Sequence, residues 1–121
     1  MSADALAAGD VLQVALGRVL PVGHEQAGLR PAVAVGLPPP PLRYPVLLVV
    51  PLTTQHGAWA KANPQVYPQL PAGTGGLRAA SVALCDQIQM CDARRVRGYL
   101  GRLDPASYAA VQIGVRRVLD L

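Results

Sequence analysis

At 121 residues and 51% hydrophobic side chains, the chain can bury a core without disulfide staples, and its composition argues against an intrinsically disordered chain. Its formal net charge of +4, from ten Arg and one Lys against seven acids, favours a polyanionic partner. The longest strongly apolar run, Val46 to Leu52, falls far short of the ~20 residues of a spanning helix, and the opening "MSADALAAGD" lacks a basic leader. A single domain over residues 1–121, cytoplasmic and without a membrane partner, is the expectation.

Taken in chain order, "DVLQVAL" (Asp10 to Leu16) alternates apolar and polar residues and predicts a half-buried strand. Gly17 to Gly28 reads as a loop, and "RPAVAV" (Arg30 to Val35) as a second strand whose early Pro31 suits an entering or edge position. Pro38 to Pro41 predict a stiff, extended connector on the surface. "VLLVVPL" (Val46 to Leu52) is a nearly continuous apolar run and predicts a central strand buried on both faces.

Thr53 to Pro64 reads as a long loop holding His56, Trp59 and Lys61, followed by a short edge strand over "QVYPQL" (Gln65 to Leu70). "PAGTGG" (Pro71 to Gly76) is a turn, since glycine supplies positive φ at no steric cost. "SVALCDQIQM" (Ser81 to Met90) alternates again as one strand, "DARRVRG" is a short polar, helix-compatible piece, and "YLGRL" is a last strand. Asp104 and Pro105 then form a helix start, with Tyr108, Val111, Val115 and Val118 at helical spacing. Short strands, one clear helix and no repeats spell a small, mostly β barrel of the OB or SH3-like kind.

Cys85 and Cys91 are six apart and do not complete a metal set with His24 and His56, so free buried thiols are expected and no metal site. "GTGG" lacks the lysine and helix of a nucleotide-binding loop and reads as a plain turn. The two histidines invite comparison with acid–base pairs, but lone loop histidines are more often simply solvated. Trp59 and Tyr67 are aromatic candidates for stacking on an unpaired base, with a core-anchoring role as the blander account of Trp59. Arg94 to Arg97 form a charge cluster, read first as a solvated face.

The stretch "GHEQAGLRPAVAV" (Gly23 to Val35) places the only glutamate, Glu25, five residues before Arg30 at a strand mouth. Composition alone leaves two accounts open. One is an exposed ion pair worth at most ~1 kcal/mol; the other is a guanidinium held to clamp a phosphate by two parallel bonds. "PLTT" adds Thr53 and Thr54 at the end of another strand, where rigid scaffolds hold reactive groups.

Together and in this order, "GDVLQVAL", "EQAGLRPAVAV", "VVPLTT", "LPAGTGGLRAASVALCDQI" and "GRLDP" resemble the MazF/PemK toxins of toxin–antitoxin pairs. The resemblance implies an SH3-like small barrel of five to seven strands with a C-terminal α-helix, acting as a homodimer. It also implies a type II toxin that cuts single-stranded RNA at short sequences, with no metal and no cofactor, leaving 2′,3′-cyclic phosphate and 5′-hydroxyl ends.

By motif, Arg30 and Thr53 match the family's catalytic arginine and threonine. Glu25 is the added candidate for accepting the 2′-hydroxyl proton or orienting Arg30. His24, Gln26, Thr54, Gln55, Arg78 and Gln87, with Arg94 as a further candidate, are expected to hold RNA. An antitoxin with an acidic, disordered tail is the implied partner. First-strand positions that are often Trp and Asp in this family read Gln13 and Ala15, and the Ser before the Glu-Gln pair is His24. The alternatives are a non-enzymatic toxin of the same barrel that binds and poisons DNA gyrase, or a plain RNA-binding module. Neither requires Arg30 and Thr53 as a pair.

Overall fold

The segment "DVLQVA" forms strand β1 (Asp10–Ala15) as expected, but it is buried on both faces rather than one, since Val11 packs on one side and Leu12 and Val14 on the other. The computed structural model describes residues 6–16 and 28–121. β2 (Leu29–Gly36) and β3 (Val46–Thr53) follow, and β2 lies antiparallel between β1 and β3. Helix α1 (Ala58–Ala62) and the short strands β4 (Gln69–Leu70) and β5 (Ser81–Ala83) come next. β6 (Gln89–Asp92), β7 (Val96–Arg102) and helix α2 (Pro105–Leu119) complete the chain.

The strand order is β4-β5-β3-β2-β1-β7, with β6 added on β3. β3 is the central strand expected from its apolar run. β2 occupies one of its edges, while β6 pairs Val46 to Val49 and β5 pairs Leu52 and Thr53 on the other. The sheet curls into a half-barrel. The 3-10 turn Thr74–Gly76, which joins β4 to β5, packs on β7 at the far end of the strand order. Gly76, at φ 71°, lies so close to the Leu100 carbonyl that no side chain would fit between them.

Two apolar clusters fill the two faces. Val11, Val33, Val50 and Leu52 pack under α2 with Val111, joined by Tyr108, Val115 and Val118. The alternate residues of the same strands, Leu12, Val14, Ala32, Ala34, Leu47 and Val49, form the second cluster with Cys91 and Val96. α2 begins as its sequence dictates: Asp104 Oδ1 accepts the Ser107 N–H at 2.8 Å, and Pro105 takes the first turn. Among the described residues, seven strands and a C-terminal helix match the barrel expected from the sequence.

Four local expectations are corrected. Ser81 to Met90 is not one strand, because a 3-10 turn over Cys85–Gln87 divides it. β5 and β6 share one edge of β3, and the turn carries the chain past Pro51, whose carbonyl accepts the Leu84 N–H at 2.9 Å. "QVYPQL" is strand only at its last two residues. Val66 and Tyr67 donate their N–H groups to the Asn63 carbonyl at 3.2 and 3.0 Å, and Pro68 has none to give. "DARRVRG" contributes a single 3-10 turn, Ala93–Arg95, capped by Asp92, and β7 starts at Val96 rather than Tyr99. The long loop after Thr53 contains α1, which has no side-chain cap.

Candidate active site

β2 and β3 bring the two residues of greatest chemical interest to the same end of the sheet. The pairs Ala32–Pro51, Val33–Val50 and Ala34–Val49 keep one register up to the end of the ladder, and Arg30 and Thr53 each lie two residues beyond its last pair, at the same end of the two strands. Strand residues two apart share a face. Arg30 and Thr53 therefore continue the face of Ala32 and Pro51, which is also the face of Val14, the partner of Arg30 across β1. Arg30 is exposed and Thr53 is half-buried. The Thr53 Oγ1 accepts the Gln55 N–H at 3.1 Å, so its own hydroxyl proton is left to donate.

Thr53 lines a cavity of about 350 Å³ with Gln55, Trp59, Tyr67, Leu84, Asp86 and Gln87. The Trp59 and Tyr67 rings meet edge to face, with centroids 4.9 Å apart and an interplanar angle of 82°. The Tyr67 hydroxyl donates to Asp86 Oδ2 at 2.7 Å. That bond, followed by burial, raises the phenol pKa, so Tyr67 stays a donor. Gln55 and Gln87, singled out from the sequence, thus join Thr53. Asp86 joins them unannounced, because Asp86, Trp59 and Tyr67 come from three separate segments.

The other two described candidates lie elsewhere. Thr54 and Arg78 line a second cavity, of about 430 Å³, with Gln13, Pro31 and Leu100. Pro31 follows Arg30 in β2, so this cavity opens on the opposite face of the sheet tip. Within it the Gln13 Oε1 is buried and has no hydrogen-bond partner among the described residues. Among the described residues, the RNA-holding candidates therefore form two groups, Gln55 and Gln87 beside Thr53, and Thr54 and Arg78 in the second cavity.

Arg94, the further candidate, pairs with Asp92 through Nε at 3.2 Å and a terminal nitrogen at 3.0 Å on a solvent-facing turn. His56 faces the Ala80 carbonyl at 3.0 Å through Nε2, an anchoring contact for its loop. His24, Glu25 and Gln26 lie outside the described residues, so their placement relative to Arg30 carries no argument. Among the described residues, no three His, Cys, Asp or Glu side chains gather as metal ligands would, and no helix is long and apolar enough to cross a membrane. Cys85 and Cys91 are free and buried, and burial pushes the Cys85 thiol up to about 12.

Among solved structures, MazF from Deinococcus radiodurans (form I) shares 22% identity with this chain at a TM-score of 0.70, over 94% of this chain and 96% of that one. An endoribonuclease from a mycobacterial species shares 17% identity at a TM-score of 0.70, over 97% and 93% of the respective chains. A mycobacterial endoribonuclease in complex with its cognate antitoxin shares 19% identity at a TM-score of 0.68, over 98% and 96%. These likenesses establish the fold. Sequence comparison with curated proteins finds no match. The model of the family described as PemK-like, MazF-like toxin of type II toxin–antitoxin systems matches residues 7–119, nearly the whole chain, and the protein belongs to that family.

Proposed function

We propose that the chain, acting as one domain over residues 1–121, is a sequence-specific endoribonuclease that cuts single-stranded RNA without a metal. The observation that supports this reading is the placement of Arg30 and Thr53, a guanidinium and a hydroxyl, at the same end of adjacent strands, each two residues beyond the pair Ala32–Pro51. Two similar structures are named as endoribonucleases, one of them with its antitoxin, which supports the same reading. A homodimer, an antitoxin with an acidic disordered tail and a cytoplasmic site of action complete it.

In the proposed reaction the ribose 2′-hydroxyl attacks the neighbouring phosphorus. Its proton passes to a base, the bond from phosphorus to the 5′ oxygen breaks, and the departing oxygen gains a proton. The products are a 2′,3′-cyclic phosphate and a 5′-hydroxyl. Negative charge gathers on the non-bridging oxygens, and donors fixed at that charge are usually the largest catalytic contribution. Arg30 supplies two parallel N–H donors and Thr53 a third. A guanidinium stays protonated in proteins, so Arg30 stabilises charge and is a poor base. Glu25 is the proposed proton acceptor, on its closeness in sequence to Arg30. The requirement for a 2′-hydroxyl makes DNA inert.

Incubating the purified protein with a long single-stranded RNA in EDTA tests this directly. Fragments with cyclic phosphate ends at repeated short sequences are the expected result. Intact RNA would exclude the nuclease and favour a binding toxin.

A further inference from the structure

Asp86 is an oddity in a groove meant for a polyanion. Its carboxylate sits in the cavity beside Thr53, where an RNA phosphate would be repelled. Asp86 is exposed and accepts from the Tyr67 hydroxyl, so its remaining lone pairs are open to the donors of a ligand. We propose that this cavity holds one unpaired base next to the cut, and that Asp86 selects guanine. The inference rests on the reading that single-stranded RNA passes Thr53, and it adds the residue that chooses the base.

The cavity divides the work between its walls. Its volume of about 350 Å³ suits a small planar ligand. Trp59 is 41% exposed at the cavity wall and meets Tyr67 edge to face, and in this proposal a base stacks on the exposed part of the indole. Stacking tolerates every base, since each has a π-face. Discrimination must therefore come from polar groups on the base's pairing edge.

Asp86 is an acceptor only. The Tyr67 hydroxyl occupies one lone pair of Oδ2 and fixes the carboxylate, leaving acceptor sites on both oxygens. Guanine presents two adjacent donors, N1–H and the N2 amino group, which match a carboxylate in parallel. Adenine and cytosine place a ring acceptor beside their amino donor, and uracil flanks its single donor with two acceptors. Each of those three would set lone pairs against Asp86.

Two readouts on the full chain test the idea. The first maps cut sites on a long RNA for the native protein and for Asp86→Asn. The second selects bound molecules from a randomised single-stranded RNA pool and sequences them. Guanine should dominate one fixed position beside the cut. Asp86→Asn, with one acceptor and one donor, should lower guanine there by about tenfold or more and raise adenine, since a bidentate pair carries discrimination of about that size.

Tyr67→Phe keeps the acceptor and should keep guanine on top. A native cut map without guanine at a fixed position overturns the proposal. So does an Asp86→Asn map of unchanged pattern and uniformly lower yield, which marks Asp86 as merely structural. If the native protein enriches guanine from the pool, through Asp86, yet leaves RNA uncut, the base pocket stands and the nuclease reading falls. If it binds the pool with no base preference, the pocket proposal fails whatever the cleavage result.

Discussion

Arg30 lies two residues beyond Ala32 on β2, and Thr53 two residues beyond Pro51, the partner of Ala32, on β3, so both stand at the same end of adjacent antiparallel strands. The proposed reaction requires both side chains to reach one phosphate at that end of the sheet. Arg30→Ala should slow RNA cleavage by ~10²-fold or more, the loss typical of one oxyanion donor. Thr53→Val removes a neutral hydroxyl and should cost less, on the order of tenfold. Because the two act on one charge, the double variant should be little slower than Arg30→Ala alone. Single-turnover rates check this, and additive losses would mean that the residues act on different steps.

How far the sequence reaches follows from what holds each element. β1, β2, β3 and α2 were legible because their apolar residues recur at the period of the element and the helix carries an Asp104–Pro105 start. The division of Ser81 to Met90 was not, since Leu84 and Cys85 stay buried through the turn and preserve the look of alternation. α1 is five residues without a side-chain cap, and tertiary context alone decides it. Motif matching brought out Arg30 and Thr53, but nothing local links Asp86 to Trp59 and Tyr67. Their meeting depends on β5 pairing with the tip of β3.

The buried thiols predict an alkaline weakness. Burial raises Cys85 from an ordinary 9.0 to about 12, and burial also raises Cys91 and Tyr108. Between those values the unfolded chain has lost the Cys85 proton and the folded one has kept it. The folded state then binds more protons, and stability falls as pH rises. The contribution is intact below pH 9 and is lost progressively towards pH 12. Denaturant midpoints measured from pH about 8 to about 11 should decline, and less steeply in Cys85→Ala. Alkylating reagents should leave both thiols untouched until the protein is unfolded.

Gly114 sets the closest approach of α2 to the barrel. A Cβ there would stand 2.6 Å from Cys85 Sγ and 2.6 Å from the Gln65 carbonyl oxygen. Gly-to-Ala in a helix interior normally gains up to ~1 kcal/mol. Overpacking costs ~1–3 kcal/mol, and one of the blocking atoms here is backbone, which cannot swing aside. Overpacking wins, so Gly114→Ala should lose about 1–2 kcal/mol in chemical denaturation. A gain would show that α2 slides on the sheet at little cost.

Arg78 and Thr54 face a cavity on the other side of the sheet tip from Thr53. A strand that passes Arg30 and also touches Arg78 must cross the end of β3, so the salt dependence of binding reports its path. Each phosphate neutralised on single-stranded nucleic acid adds ~0.7 to the slope of log affinity against log salt. If RNA crosses the tip, Arg78→Ala should reduce that slope by about 0.7 and weaken binding evenly across sequences. Fluorescence anisotropy with a short RNA bearing a 2′-deoxy block at the cut position measures this without cleavage. An unchanged slope would confine the strand to the face of Arg30 and Thr53. Arg78 would then serve the second cavity alone, beside the buried Gln13 carbonyl.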